Sequence, residues 1–241
     1  METKYSKVIV KISGEALADS SDKTILDKKK LENVATAINE IVKLGVKVGV
    51  VVGAGNIWRG KLAEKIGIER STGDYMGMLG TIINALALQS AFEEKGLNTR
   101  VMSSINVPQV CEPYIRRKAV HHLDSGRVVI FAGGTGNPYF TTDTTATLRA
   151  MEVGADAILM GKNNVEGVYD SDPRKNPNAT LLRRLTYQEV VEKKLAVMDL
   201  TAVAMLEDSP IVIRVFNMSS PEDLVKVVKG DNLGSTISKE K

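Results

Sequence analysis

Cysteine is almost missing from this 241-residue chain, with Cys111 standing alone. A single thiol excludes an internal disulfide framework, and without a second one nothing supports a zinc site. A reducing cytoplasm is the expected address. Long apolar runs are missing too. Stretches such as Val48–Val52 and Val128–Ala132 fall far short of the roughly 20 residues a membrane span requires, so no membrane association is expected. The amino-terminal residues run straight into a strand-like segment without the apolar core of a signal peptide. Net charge is small, +3 from 32 basic and 29 acidic residues, with a pI near 8.8. That excess suits a polyanionic small substrate better than nucleic acid, and no nucleic-acid partner is expected. No repeat, low-complexity tract or linker interrupts the chain. Asn176-Pro-Asn178 is the best candidate for a subdomain boundary and a poor one, so residues 1–241 read as one domain.

What is present is an alternation of short apolar strands with helices. Val8–Ile12, Val46–Val52, Thr99–Met102, Arg127–Phe131, Ala157–Met160 and Ile211–Val215 read as strands. Leu31, Val34, Ala35, Ile38, Ile41 and Val42 recur at helical spacing, with Gly45 in the C-cap position. Met76–Glu94, Tyr114–Leu123 and Thr144–Val153 read as further helices. Thr186-Tyr-Gln-Glu189 is a capping box, and Ser220-Pro221-Glu222-Asp223 carries an N-cap serine, proline at the first helical position and acids against the dipole. The pattern predicts an α/β fold, a three-layer αβα sandwich around a mostly parallel sheet.

Three glycine-rich turns each follow a strand: Lys11-Ile-Ser-Gly14, Gly53-Ala-Gly-Asn56 and Gly133-Gly-Thr-Gly-Asn-Pro138. Loops at the carboxyl ends of parallel strands line one crevice, and glycines there let backbone amides approach phosphate oxygens. Two familiar phosphate motifs fail. Trp58 stands where the dinucleotide fingerprint needs a third small residue, and Leu62 replaces the hydroxyl that a P-loop offers to magnesium. Arg116-Arg117-Lys118 with His121-His122 reads as a solvated helix face, the histidines as surface residues, and Met76 and Met78 as packing.

Lys11-Ile-Ser-Gly-Glu15, Gly53-Ala-Gly-Asn-Ile-Trp-Arg-Gly60, Gly73-Asp-Tyr-Met-Gly-Met-Leu79, Gly134-Thr-Gly-Asn-Pro-Tyr-Phe-Thr-Thr-Asp143 and Gly167-Val-Tyr-Asp-Ser-Asp-Pro173 occur in order. Together they resemble the bacterial uridylate kinases of the amino-acid kinase superfamily, from Lys7 to about Gly234. The resemblance implies phosphoryl transfer from ATP, carried with Mg²⁺, to UMP. It assigns the ATP side to Lys11, Ile12, Ser13, Gly14, Gly55, Arg59, Asn163, Tyr169 and Asp172. It assigns the UMP side to Ala54, Asp74, Thr135, Gly136, Asn137, Pro138, Tyr139, Phe140, Thr141 and Thr142. Asp74, read as lying at a helix start, would accept from the ribose hydroxyls.

Lys11 and Arg59 would meet the charge of the transferred group. Asp143, counted with them as catalytic, would orient Lys11 or neighbouring amides rather than act as a base. Ala54 stands where the family has glycine, and its Cβ is expected to restrict positive φ and crowd the acceptor phosphate. Lys162 lies near the place of a second superfamily lysine, with its role open. The resemblance further implies a homohexamer, with α-helical residues Met76–Glu94 in an interface, and inhibition by UTP. Ser20–Ile25 holds no glycine where GTP-activated relatives are glycine-rich, so the resemblance does not extend to GTP activation. Two alternatives stay open: a carboxylate-metabolite kinase of the same fold, and a pyrimidine-nucleotide sensor without turnover. The carboxylate at Asp74 speaks against the first and Lys11 against the second.

Overall fold

Side-chain alternation along β1 (Lys7–Ile12) sets the architecture. Val8, Val10 and Ile12 enter one buried cluster, while Ile9 enters another on the opposite face. The computed structural model describes residues 3–19, 24–162, 165–218 and 220–240, leaving aside the side chain of Lys61. Flanking β1 are β2 (Lys47–Val52) and β6 (Ala157–Lys162), both parallel to it. The other strands are β3 (Thr99–Ser103), β4 (Glu112–Pro113), β5 (Val128–Ala132), β9 (Arg184–Thr186), β10 (Val212–Asn217) and β11 (Ser235–Ser238). Their order in the sheet is β4-β3-β5-β2-β1-β6-β10-β11-β9. Only β11 and β9 run against the rest, because β11 pairs antiparallel with β10 and β9 parallel with β11.

Helices cover both faces, which gives the expected three layers. One cluster packs α1 (Lys28–Lys43), α3 (Arg70–Glu94) and α8 (Pro221–Lys229) on the sheet. The other packs α4 (Arg116–Asp124), α5 (Thr142–Val153), α6 (Tyr187–Glu192) and α7 (Leu200–Ala204). The short α2 (Gly60–Lys65) lies against α3. A small ribbon, β7 (Val168–Tyr169) with β8 (Leu181–Leu182), stands apart from the main sheet. Asn176-Pro-Asn178 is part of the loop joining these two strands, and the main sheet resumes beyond it.

Two helices begin earlier than the sequence suggests. α3 starts at Arg70, so Asp74 sits in its second turn rather than at its start. Gly73 and Gly77 hide that turn, since glycine disfavours helix interiors. α5 starts at Thr142, capped by the Thr141 hydroxyl, which accepts from Asp143 N at 3.1 Å and Thr144 N at 3.4 Å. The Thr186 box is present on both sides: Glu189 N donates to Thr186 Oγ1 at 3.1 Å and Thr186 N to Glu189 Oε2 at 2.9 Å. α3 has the length and apolar character of a membrane span. It instead buries one side on the sheet, with Asn84 among its fully buried residues.

Candidate phosphoryl-transfer site

Because β1, β2, β3, β5, β6 and β10 are parallel, their carboxyl ends meet along one edge. Lys11 is near the end of β1, the centre of the sheet, opposite Val51 of β2 and Met160 of β6. Its Nζ lies 2.9 Å from Asp143 Oδ1, in the first turn of α5, and both side chains are largely buried. Lys162, the last residue of β6, joins this pair. Its Nζ donates to Val197 O at 3.0 Å. Burial, reinforced by the charge of Lys11, pushes its pKa below the ordinary lysine value, and Asp143 partly offsets this. Two lysines, one carboxylate and the N-terminus of a 12-residue helix therefore converge where an anion would gain charge-assisted hydrogen bonds.

The first two glycine loops interlock beside this cluster. A Cβ on Gly14 would meet Asn56 Oδ1 at 2.4 Å and Gly53 O at 2.7 Å, so only glycine allows the approach. Ile12 is buried in the core, leaving its backbone alone to face a ligand. At Ala54 the backbone part of the steric expectation does not hold. Among the described residues the non-glycine positions at positive φ are Tyr139 and Lys194, so Ala54 needs no glycine-like backbone. Its methyl packs on α3, 2.9 Å from where a Gly80 Cβ would stand. Asn84 holds the second loop from behind, donating to Gly53 O at 2.7 Å and Asn56 Oδ1 at 2.8 Å.

On the β2–β5 side lies an open cleft of ≈ 140 Å³, walled by Ala54 and Trp58, by Asp74 and Thr81 of α3, and by Gly134 through Thr142 in part. Of the acceptor residues read from the sequence, Ala54, Asp74, Thr135, Asn137, Phe140, Thr141 and Thr142 line it. Gly136, Pro138 and Tyr139 complete the loop outside that lining. Asp74 Oδ2 accepts from Tyr139 N at 2.8 Å, and Tyr139, at φ 71° and exposed, lies under the Arg70 guanidinium. The carboxylate thus holds a strained loop residue from a position on the cleft wall.

Tyr169 and Asp172 belong to the opposite side of Lys11. Ser235 of β11 ties down their ribbon, accepting from Val168 N at 2.9 Å and donating to Leu182 O at 2.6 Å. Asp172 is held by Arg174, whose hydrogen bonds keep its carboxyl below the usual range. Arg59 stands outside the lysine cluster. Its guanidinium, 63% exposed, pairs with Glu15 at 2.6 Å, so a bound phosphate would have to displace that carboxylate. Asn163 lies outside the described residues, as do Ser20–Lys23 of the GTP-related stretch.

Several contributors escaped the sequence reading. Thr81 accepts from Gly133 N at 2.8 Å, and Trp58 donates to Gly73 O at 2.8 Å. Asp199 accepts from the hydroxyls of Thr141 and Thr144 and caps α7. A polar residue in an apolar helix, as at Thr81 and Asn84, was the available signal. His122 is also corrected: it is half-buried, 3.1 Å from Glu112 Oε2 and 2.9 Å from Arg127.

Residues 6–217 match the family described as the amino acid kinase family. The chain belongs to that family. This amino acid kinase is 52% identical over 236 residues to the uridylate kinase of Limosilactobacillus reuteri, covering 98% of each chain. It is 49% identical to the uridylate kinase of Pediococcus pentosaceus, over 99% of each. The crystal structure of UMP kinase from Bacillus anthracis superposes with a TM-score of 0.95 at 44% identity, covering 98% of this chain and 97% of that one. The kinase is therefore an enzyme of phosphoryl transfer.

Proposed function

We infer that this kinase moves the γ-phosphoryl of ATP onto UMP, giving UDP and ADP. The observation that carries the reading is Asp74 in the wall of the cleft beside the Lys11 cluster. A carboxylate there repels a glutamate- or aspartate-like acceptor and accepts from a ribose diol. Full-length identity near 50% to proteins named uridylate kinases points the same way. The donor would lie towards the β7–β8 ribbon and the acceptor in the cleft, with Lys11 between them. A UMP phosphate oxygen attacks the γ-phosphorus in line as the bond to ADP breaks. Lys11, Lys162 and the α5 N-terminus meet the charge on the equatorial oxygens, and Asp143 holds Lys11 in line. Magnesium enters as Mg-ATP. Among the described residues no three His, Cys, Asp or Glu are grouped to hold an ion. Phosphorus NMR of the products tests the reading: UDP should accumulate in step with ADP, and ADP without UDP would refute it.

Asp74→Asn should weaken UMP binding about tenfold, the worth of one charge-assisted hydrogen bond of roughly 1.5 kcal/mol. ATP binding should stay unchanged. Titration calorimetry with each nucleotide decides, since a loss confined to ATP reverses the assignment.

No protein base is required, because a nucleoside monophosphate has a second pKa of about 6 and its attacking oxygen is mostly ionised at neutral pH. The acid limb of kcat/KM should follow that ionisation, shift with a fluorinated phosphonate analogue of lower pKa, and persist in Asp143→Asn. An acid limb that ignores the analogue but vanishes in the variant would make Asp143 the base.

The same reading extends to a single domain built on one nine-stranded sheet, to pyrimidine nucleotide synthesis in the cytoplasm, and to inhibition by UTP, which shares the uridine. Assembly as a hexamer through α3 is supported by an exposed apolar stripe, Tyr75, Leu79 and Ile83, at the i, i+4, i+8 spacing of one helix face.

A further inference from the structure

Behind the cleft, and away from any atom the transfer reaction uses, lies a buried cation. Arg149 sits on α5 with its side chain only 4% exposed. Its guanidinium stacks on the Tyr114 ring at 3.7 Å, and its NH1 group donates to Glu152 Oε2. The Tyr114 hydroxyl donates to the same carboxylate oxygen. Burial first, and that hydrogen bond second, raise the Tyr114 pKa far above its ordinary value, so the phenol stays a donor. The charge is thus paired and packed, as a buried arginine requires.

The other terminal nitrogen points at the loop. NH2 of Arg149 donates to Ser104 Oγ at 2.7 Å and to Gly134 O at 3.4 Å, and Ser104 Oγ itself donates to Gly134 O at 3.0 Å. Gly133, Gly134 and Gly136 all have positive φ, at 72°, 58° and 83°. Glycines so placed have many alternative conformations of similar energy, and something has to select one. Two donors on one carbonyl do so. In a planar trans peptide the N–H points opposite to the C=O. Turning the Gly134 carbonyl back onto Arg149 and Ser104 therefore directs the Thr135 N–H to the other side, where Gly134 and Thr135 line the cleft.

We propose that Arg149 is a positioning residue for the acceptor nucleotide, fixing with Ser104 the Gly134–Thr135 peptide so that its N–H is presented to the acceptor. The proposal rests on the reading of Gly133–Thr142 as the UMP loop. Lysine cannot replace it, because one ammonium cannot stack on Tyr114 while reaching Glu152, Ser104 and Gly134 together.

The test is steady-state kinetics on the full chain, with thermal melting beside it, for three variants. Arg149→Lys should raise KM for UMP about tenfold, as a misplaced contact does, leaving KM for ATP and kcat within about twofold. Arg149→Met combined with Glu152→Gln removes both charges and should show at least the same KM effect. Ser104→Ala, which loses one hydroxyl and keeps the arginine, should raise KM for UMP about threefold. An unchanged KM for UMP in Ser104→Ala and in either folded Arg149 variant would overturn the proposal. So would parallel changes in both KM values and kcat that track the melting temperature, the mark of a purely structural role. Asp74→Asn run beside them separates the two readings. If it weakens UMP while the Arg149 and Ser104 variants do not, the positioning role alone fails. If it leaves UMP untouched, the acceptor loop is misassigned and the proposal falls with it.

Discussion

Lys11→Met is expected to lower kcat about a hundredfold, a loss of roughly 3 kcal/mol of transition-state stabilisation. KM for UMP should change little. The ammonium sits 2.9 Å from Asp143 at the centre of the sheet, largely shielded from water, where charge building on the transferred group is felt more strongly than in the ground state. Methionine keeps the unbranched stem as far as the ε position and removes the ammonium with its charge and its donors. Pre-steady-state quench of labelled ATP isolates the chemical step. A variant that transfers at the wild-type rate removes Lys11 from the mechanism.

The second large effect concerns Lys162. Lys162→Met should lower kcat/KM for ATP about thirtyfold, corresponding to roughly 2 kcal/mol for a hydrogen bond to a charged group. Its pH signature is more diagnostic than its size. Burial and the charge of Lys11 hold the Lys162 pKa below 10.5 in the free protein. The useful form is the cation, which predominates below that depressed pKa and is lost as pH rises through it. Wild-type kcat/KM for ATP should therefore fall on the alkaline side earlier than an ordinary lysine would dictate, and that limb should disappear in Lys162→Met. An alkaline limb identical in both proteins would assign the titration elsewhere.

Much of the fold could be read from apolar spacing alone. β1 and β2 alternate their buried side chains across two clusters, and the Thr186 box begins α6 at the expected residue. The helix starts at Arg70 and Thr142 were less legible. Gly73 and Gly77 look like loop glycines until the rest of α3 is packed, and Thr141 shows itself as a cap only once α5 has a direction. The short strands β4, β7, β8, β9 and β11 carry too few residues for any period to emerge.

Within the site, lysine and glycine next to strand ends were visible because their chemistry is local. Partners brought by the fold were not. Asn84 meets Gly53 from 31 residues away and Arg149 meets Ser104 from 45, so no local pattern announces either. Arg59 shows the opposite limit: a phosphate fork by residue type, it is engaged by Glu15. At Ala54 the expected backbone constraint is absent, because its φ is not positive.

Every residue role above depends on UMP being the acceptor. The most direct measurement is ADP release from Mg-ATP with UMP, CMP, AMP, GMP, glutamate, aspartate and N-acetylglutamate offered singly. UMP should exceed every other acceptor in kcat/KM by roughly a hundredfold or more, since a site built to hydrogen-bond one ligand leaves polar groups unpaired with the others. Faster turnover of a carboxylate than of UMP, or UMP binding with no ADP released, would rule out UMP as the acceptor.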